Sequence, residues 1–409
     1  MRRGAFLPAL GLAAAVLAEA PKTKLTQAEA VAAVAAVLPD VQSIRGFTFK
    51  TKVPVTVIDD AKAREYALAR FRRMTPEAKI RSDERAFRLL GLVPADLDML
   101  KTLLDVLEEQ AGGYYDPTTK SFYLLDDMPK EATGLLAAHE MTHALEDQRY
   151  DLDTLLAKRL DDDDASFALS AVIEGSATAA AAVYVANGVA TGKVDQADLG
   201  AMGETVPMDR LNALPPVMRR QLLGPYALGL HFLGRGDVAR LKSGFPKRDV
   251  DAAWENLPRS SEQILHPEKY WDPKLRDEPK RVIVPSAASL LGKGWKRAGS
   301  GVLGELTLGS LVGAPTPEAG DLASGQEQWT NAAASGWGGD RFEVWTKGDA
   351  AVVLLATVWD TAKDAEEFAS ALPRGRAELA FKRAGSKVGI VAGPAFEERD
   401  ALLAMLVRP

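Results

Sequence analysis

The chain has 409 residues, four histidines and no cysteine, which excludes disulfides, thiolate metal sites and cysteine nucleophiles. Any transition-metal site must be built from His, Asp and Glu. Charged residues make up 26% and hydrophobic ones 47%, an ordinary globular composition, and a net charge of −6 gives no electrostatic reason to expect a nucleic-acid partner.

Arg2 and Arg3, the apolar residues 5–17, and the small residues Val16 and Ala18 follow the order of a secretory signal peptide, residues 1–18. An exported protein, periplasmic or extracellular, is therefore expected. Thr26 with Ala28, Ala30, Val31 and Val34 predicts an amphipathic helix with a threonine near its N-cap. Residues 47–57 are rich in Val, Phe and Thr and read as a strand. Apolar spacing predicts helices over 61–73, 82–90 and 96–110. Turn signals at Gly112-Gly113 and Asp116-Pro117 frame a hairpin made of Tyr114-Tyr115 and residues 121–125. A helix then starts near Asp127 and Pro129 and runs over 130–148.

Residues 161–164, all aspartate, read as a solvated loop and helix N-terminal charge. A second long helix spans 164–187, closed by Gly188. Glu174 and Asn187 interrupt its Ala-rich run, so no stable membrane span is expected once the signal peptide is removed. A third helix, 217–233, is opened by Pro215-Pro216 and stopped by Gly234. Beyond residue 281, strands at 341–345, 351–359, 377–382 and 387–391 alternate with helices at 362–372 and 395–407. The order β-β-α-β-β-α predicts a small α+β sandwich with both helices on one face. Residues 336–340 read as a tight turn around a packed Trp337, with Trp345 and Trp359 in the core.

The sharpest chemical signal is His139-Glu140-Met141-Thr142-His143. Residues four apart share one helix face, so His139 and His143 can address a single metal ion. Glu140 then stands beside the open coordination position, where a carboxylate can act as general base. Catalytic zinc takes three protein ligands. Glu174 is the best third ligand: it is a lone carboxylate among apolar and small residues on the next long helix, and a buried carboxylate needs a cation or hydrogen bonds. Gly175 and Ala177 would let that helix pack closely against the His139 helix.

These residues, with Gly175-Ser176-Ala177, resemble the gluzincin clan of zinc metallopeptidases, the thermolysin-like group. Residues 135–148, the hairpin and Ile264-Leu265-His266-Pro267 are also similar to uncharacterised exported bacterial proteins with the same HExxH/EG pattern. The resemblance covers about residues 96–270. It implies zinc bound by His139, His143 and Glu174, and a mainly helical zincin-like core preceded by a β-hairpin. The expected organisation is therefore α+β: a metallopeptidase domain over 19–280, whose first part is 19–110, and a smaller α+β accessory domain over 281–409. One departure is Thr178, which stands where the clan often has an Asp that orients a histidine. Asp147, one turn after His143, is the alternative for that role. Enzymes of this type hold substrate as an added strand, and residues 121–125 are placed to be the receiving edge. Tyr226 and His266 are candidate donors to an oxyanion, with Tyr270 or His231 behind them. Otherwise His231 is expected to be structural.

The sequence thus predicts a zinc-dependent peptidase acting on a peptide or protein. The competing reading is a secreted, non-catalytic adaptor with a structural zinc, and a third is hydrolysis of a non-peptide amide.

Overall fold

The structure is a computed structural model and describes residues 24–74, 76–109, 112–194, 208–318 and 328–408; residues 1–18, expected to form a signal peptide, lie outside them. Helix α1 (Gln27–Arg45) opens on a capping box: the Thr26 hydroxyl accepts the Glu29 N–H, and the Glu29 carboxylate accepts the Thr26 N–H. Strand β1 (Val55–Ile58) follows, shorter than the sequence suggests. Gln148 Oε1 accepts the Lys50 and Thr51 N–H groups, so these donors never enter a strand ladder. Next come α2 (Asp60–Met74), α3 (Glu77–Leu90) and α4 (Met99–Glu109), then β2 (Gly113–Asp116) and β3 (Ser121–Leu125). The three strands form one sheet in the order β1-β3-β2, with β1 parallel and β2 antiparallel to β3.

Helix α5 (Lys130–Tyr150) packs its buried Ala137, Ala138, Met141, Ala144 and Leu145 into a core shared with α1 and the small sheet. After α6 (Leu152–Ala157), α7 (Asp163–Thr191) runs past Gly188 and ends at Gly192, whose φ of +72° is the left-handed conformation of a helix stop. This helix is long and apolar enough to cross a membrane, but 72% of its most apolar stretch is buried inside the protein. Short and medium helices follow: α8 (Met208–Ala213), α9 (Pro216–Leu233), α10 (Lys247–Glu255), α11 (Ser261–Leu265), α12 (Glu268–Trp271) and α13 (Ala288–Leu291).

The C-terminal part adds β4 (Lys296–Gly301), α14 (Gly304–Leu311), β5 (Trp337–Lys347), β6 (Ala350–Trp359), α15 (Ala362–Ala371), β7 (Leu379–Ala384), β8 (Lys387–Ala392) and α16 (Arg399–Leu406). The fold is α+β, and these strands form a five-stranded antiparallel sheet in the order β4-β5-β6-β8-β7. The two flanking helices lie on opposite faces, not on one. Val353 and Leu355 of β6 face the cluster that holds Phe368 of α15, whereas Val352, Leu354 and Ala356 face Leu402 and Leu406 of α16. Alternation along the strand sends successive side chains to opposite sides, and here both sides are apolar. The cluster on the α15 side continues without a break into Phe167, Phe232 and Trp254 of the helical part. Residues 336–340 are not a simple turn. Gly336 and Gly339 both have positive φ, +82° and +155°, and β5 begins at buried Trp337 with a bulge before Gly339. Asp340 accepts the Leu303 and Gly304 N–H groups and so holds the start of α14.

Candidate metal centre

Helix α5 carries both histidines in its buried middle, where His139 is 6% and His143 8% exposed. The Nε2 atoms stand 3.1 Å apart, with the rings nearly perpendicular at 88°. Glu174, from the middle of α7, brings Oε2 to 3.3 Å from His139 Nε2 and 3.4 Å from His143 Nε2. Donor atoms about 2.0–2.1 Å from a tetrahedral ion stand about 3.3 Å from one another. The three atoms therefore match one face of a zinc tetrahedron. Two imidazoles and a carboxylate are also a donor set suited to zinc.

The electrostatics agree with a cation at this point. Burial lowers the pKa of His143, but the charge of Glu174 and its hydrogen bond outweigh that effect and raise it to about 9. Burial raises the pKa of Glu174, but the two histidines more than reverse this and hold it well below the usual carboxylate range. The carboxylate stays ionised and draws positive charge to the imidazoles, as a proton or as a metal ion.

Glu140 is buried, and its Oε2 accepts the backbone N–H of Tyr115 at 2.7 Å. One of its oxygens lies within 4.8 Å of a ring nitrogen of each histidine. The register explains why Tyr115 can donate. Leu125 N–H donates to the Gly112 carbonyl, so the backbone groups of Gly113 and Tyr115 turn away from β3. The outer edge of the sheet beside α5 is thus β2. Residues 121–125, expected to be that edge, form the central strand, because β1 arrives from far back in the chain and pairs on their other side.

Two contacts fix the helices that carry the site. One turn beyond His143, the fully buried Glu146 Oε1 accepts from Arg45 Nε at 2.6 Å, Ser176 Oγ at 2.6 Å and Trp254 Nε1 at 3.1 Å. This carboxylate ties α1, α5, α7 and α10 together. The other contact is a glycine crossing. A Cβ on Gly175 would fall 2.6 Å from the Gly229 carbonyl carbon, and one on Gly229 would clash with the Ala171 carbonyl oxygen. The small residue beside Glu174 thus admits α9, whereas the sequence suggested that it serves the α5 packing. The crossing brings in Tyr226, whose ring stacks 6.3 Å from that of His139 at an interplanar angle of 25°. Arg45, Glu146 and Gly229 escaped the sequence reading. The glycines at 224 and 229, on an otherwise regular helix, were the available sign of a close crossing.

Other expectations are redirected. Asp147 orients no histidine; it accepts from Tyr115 Oη at 2.6 Å and from the Leu152 N–H at 2.8 Å. Among the described residues, neither histidine Nδ1 has a hydrogen-bond partner. His266 has a different neighbour. Its Nε2 lies 2.9 Å from buried Glu305, which also accepts from Thr330 Oγ1. Tyr226 thus lies beside His139, whereas His266 is engaged with Glu305. Tyr270 donates to the Asn256 carbonyl, and His231 sits half-buried near the end of α9. A second acidic group, Glu262, Asp277 and Asp360, already surrounds a cation: Lys269 Nζ lies 2.5, 3.2 and 3.0 Å from the three carboxylates.

Residues 290–403 match a family model described as a domain of unknown function, DUF8575. No curated protein and no solved structure matches the chain. The match covers the C-terminal sheet and leaves the candidate metal centre outside it.

Proposed function

We propose that this protein is a zinc-dependent peptidase with a zincin-like core, exported after signal cleavage. The observation that carries the reading is the triangle of His139 Nε2, His143 Nε2 and Glu174 Oε2, with sides of 3.1, 3.3 and 3.4 Å beside Glu140. An antiparallel edge strand next to the HExxH helix, and a following helix that supplies the glutamate, fit the same reading. Zinc held by these three atoms would supply Lewis acidity towards a substrate carbonyl and the attacking water.

The chain's own residues do the rest. Glu140, oriented by the Tyr115 N–H, takes a proton from the attacking water and returns it to the leaving amine. The outward-turned backbone of Gly113 receives an extended substrate as an added strand. Tyr226 is the donor to the developing oxyanion.

The test is cleavage of a peptide library by the wild type and by Glu140→Gln, read as new termini by mass spectrometry. Loss of the base should slow cleavage by about 10²–10⁴-fold. Equal cleavage by both proteins contradicts the role of Glu140. Zinc-bound wild type that cleaves nothing favours the non-catalytic adaptor.

A further inference from the structure

A cleft of about 560 Å³ lies where the start of α7, the extended segment 279–284 and strands β4 and β5 meet. Its size suits a small ligand. Asp162, Asp164, Asp340 and Glu343 line it beside six basic residues. Three of the basic residues are paired: Arg297 with Glu343, Lys280 with Asp360 and Arg259 with Glu278. The other three have no carboxylate within 4 Å among the described residues. Arg159 reaches only the Leu155 carbonyl, and Arg341 reaches the Ser300 hydroxyl and the Asp161 carbonyl. Arg281 is exposed and makes no hydrogen bond or ion pair with any of them.

A second, independent observation comes from Asp164. It also lines the cleft and is only 2% exposed, yet its Oδ2 has no hydrogen-bond partner among the described residues. The other oxygen, Oδ1, accepts the Ser261 N–H at 3.0 Å. Burial drives its pKa well above the ordinary carboxyl value despite the Ser261 contacts, which favours a protonated Oδ2 that can donate. Ile283, 69% exposed, and Val302 add apolar wall.

We propose that this cleft binds a small ligand through an oxyanion, carboxylate or phosphate, held by Arg159, Arg281 and Arg341, with its apolar body against Ile283. Three arginines from separate segments line the one cleft, and a guanidinium fork recognises such groups by paired N–H bonds. The inference is independent of the metal centre.

Titration calorimetry of the full chain at low salt, with inorganic phosphate and with tricarballylate as probes, tests it. The wild type should bind at least one of the two. Phosphate alone indicates a phosphoryl ligand, and tricarballylate alone a carboxylate ligand. Arg281→Ala, at an exposed residue with no partner among the described residues, should fold normally and lose about tenfold or more in affinity. Asp164→Asn, which keeps a donor at the Oδ2 position, should retain binding. Failure of both probes to bind overturns the proposal, and so does binding that survives both Arg281→Ala and Arg341→Ala.

Discussion

Arg45 Nε donates to Glu146 Oε1 at 2.6 Å, and both side chains are wholly buried. The pair joins the end of α1 to the turn of α5 that follows His143, across a hundred residues of sequence. Arg45 also binds Asp251 at 2.6 Å and lies over the Phe47 ring. Removing one partner of such a pair leaves an uncompensated buried charge. Arg45→Met should therefore cost about 3–5 kcal/mol in chemical denaturation. A cost under about 1 kcal/mol, the range of an exposed pair, would show that the pair does not hold these helices together.

The crossing of α7 and α9 has no room for a methyl group at Gly229, because the obstructing atoms are backbone. Gly229→Ala should destabilise the fold by about 1–3 kcal/mol, the usual cost of overpacking. It should also weaken metal binding, since Gly175 in the crossing adjoins Glu174. Unchanged stability and unchanged metal affinity would together place the constraint elsewhere.

Asp340 gives a pH prediction. Burial raises its pKa to about 6, although Leu303, Gly304 and Trp337 all donate to its oxygens. The folded protein then holds this proton more tightly than the unfolded chain, whose aspartate titrates near 3.9. The stabilising effect of protonation is complete below about pH 4 and is lost as pH rises through about 6. The stability of the wild type relative to Asp340→Asn should fall by up to about 3 kcal/mol across that window, following from 1.36 kcal/mol per unit. Denaturation of both proteins at several pH values measures it. A flat difference, or one that grows with pH, contradicts the assignment.

What could be read from the sequence followed local periodicity. His139 and His143 are four apart on a helix, and Glu174 stood out as one acid in an apolar run; both signals lie within single elements. The N-terminal boundaries of α1, α5 and α9 were legible for the same reason, through Thr26, Pro129 and Pro215. Long-range contacts were not legible. Nothing near residues 121–125 announces that β1 will pair with them in parallel, and so the strand taken for an edge is central. Gly188 looked like a helix stop but is packed against Val194, and the chain turns at Gly192 instead. Asp164 looked like one of four solvated aspartates, yet the C-terminal part buries it. Residues 351–356 are an unbroken apolar run, the mark of a strand covered on both faces, and they argue against both helices lying on one side.

The central claim is that His139, His143 and Glu174 hold one zinc ion. Elemental analysis of the purified full chain, beside Glu140→Gln and His143→Ala, tests it most directly. The account predicts about one zinc per chain in the wild type and in Glu140→Gln, as a single three-ligand site requires, and a large loss in His143→Ala. A folded wild type that takes up no zinc, or a folded His143→Ala that keeps its full share, would contradict it.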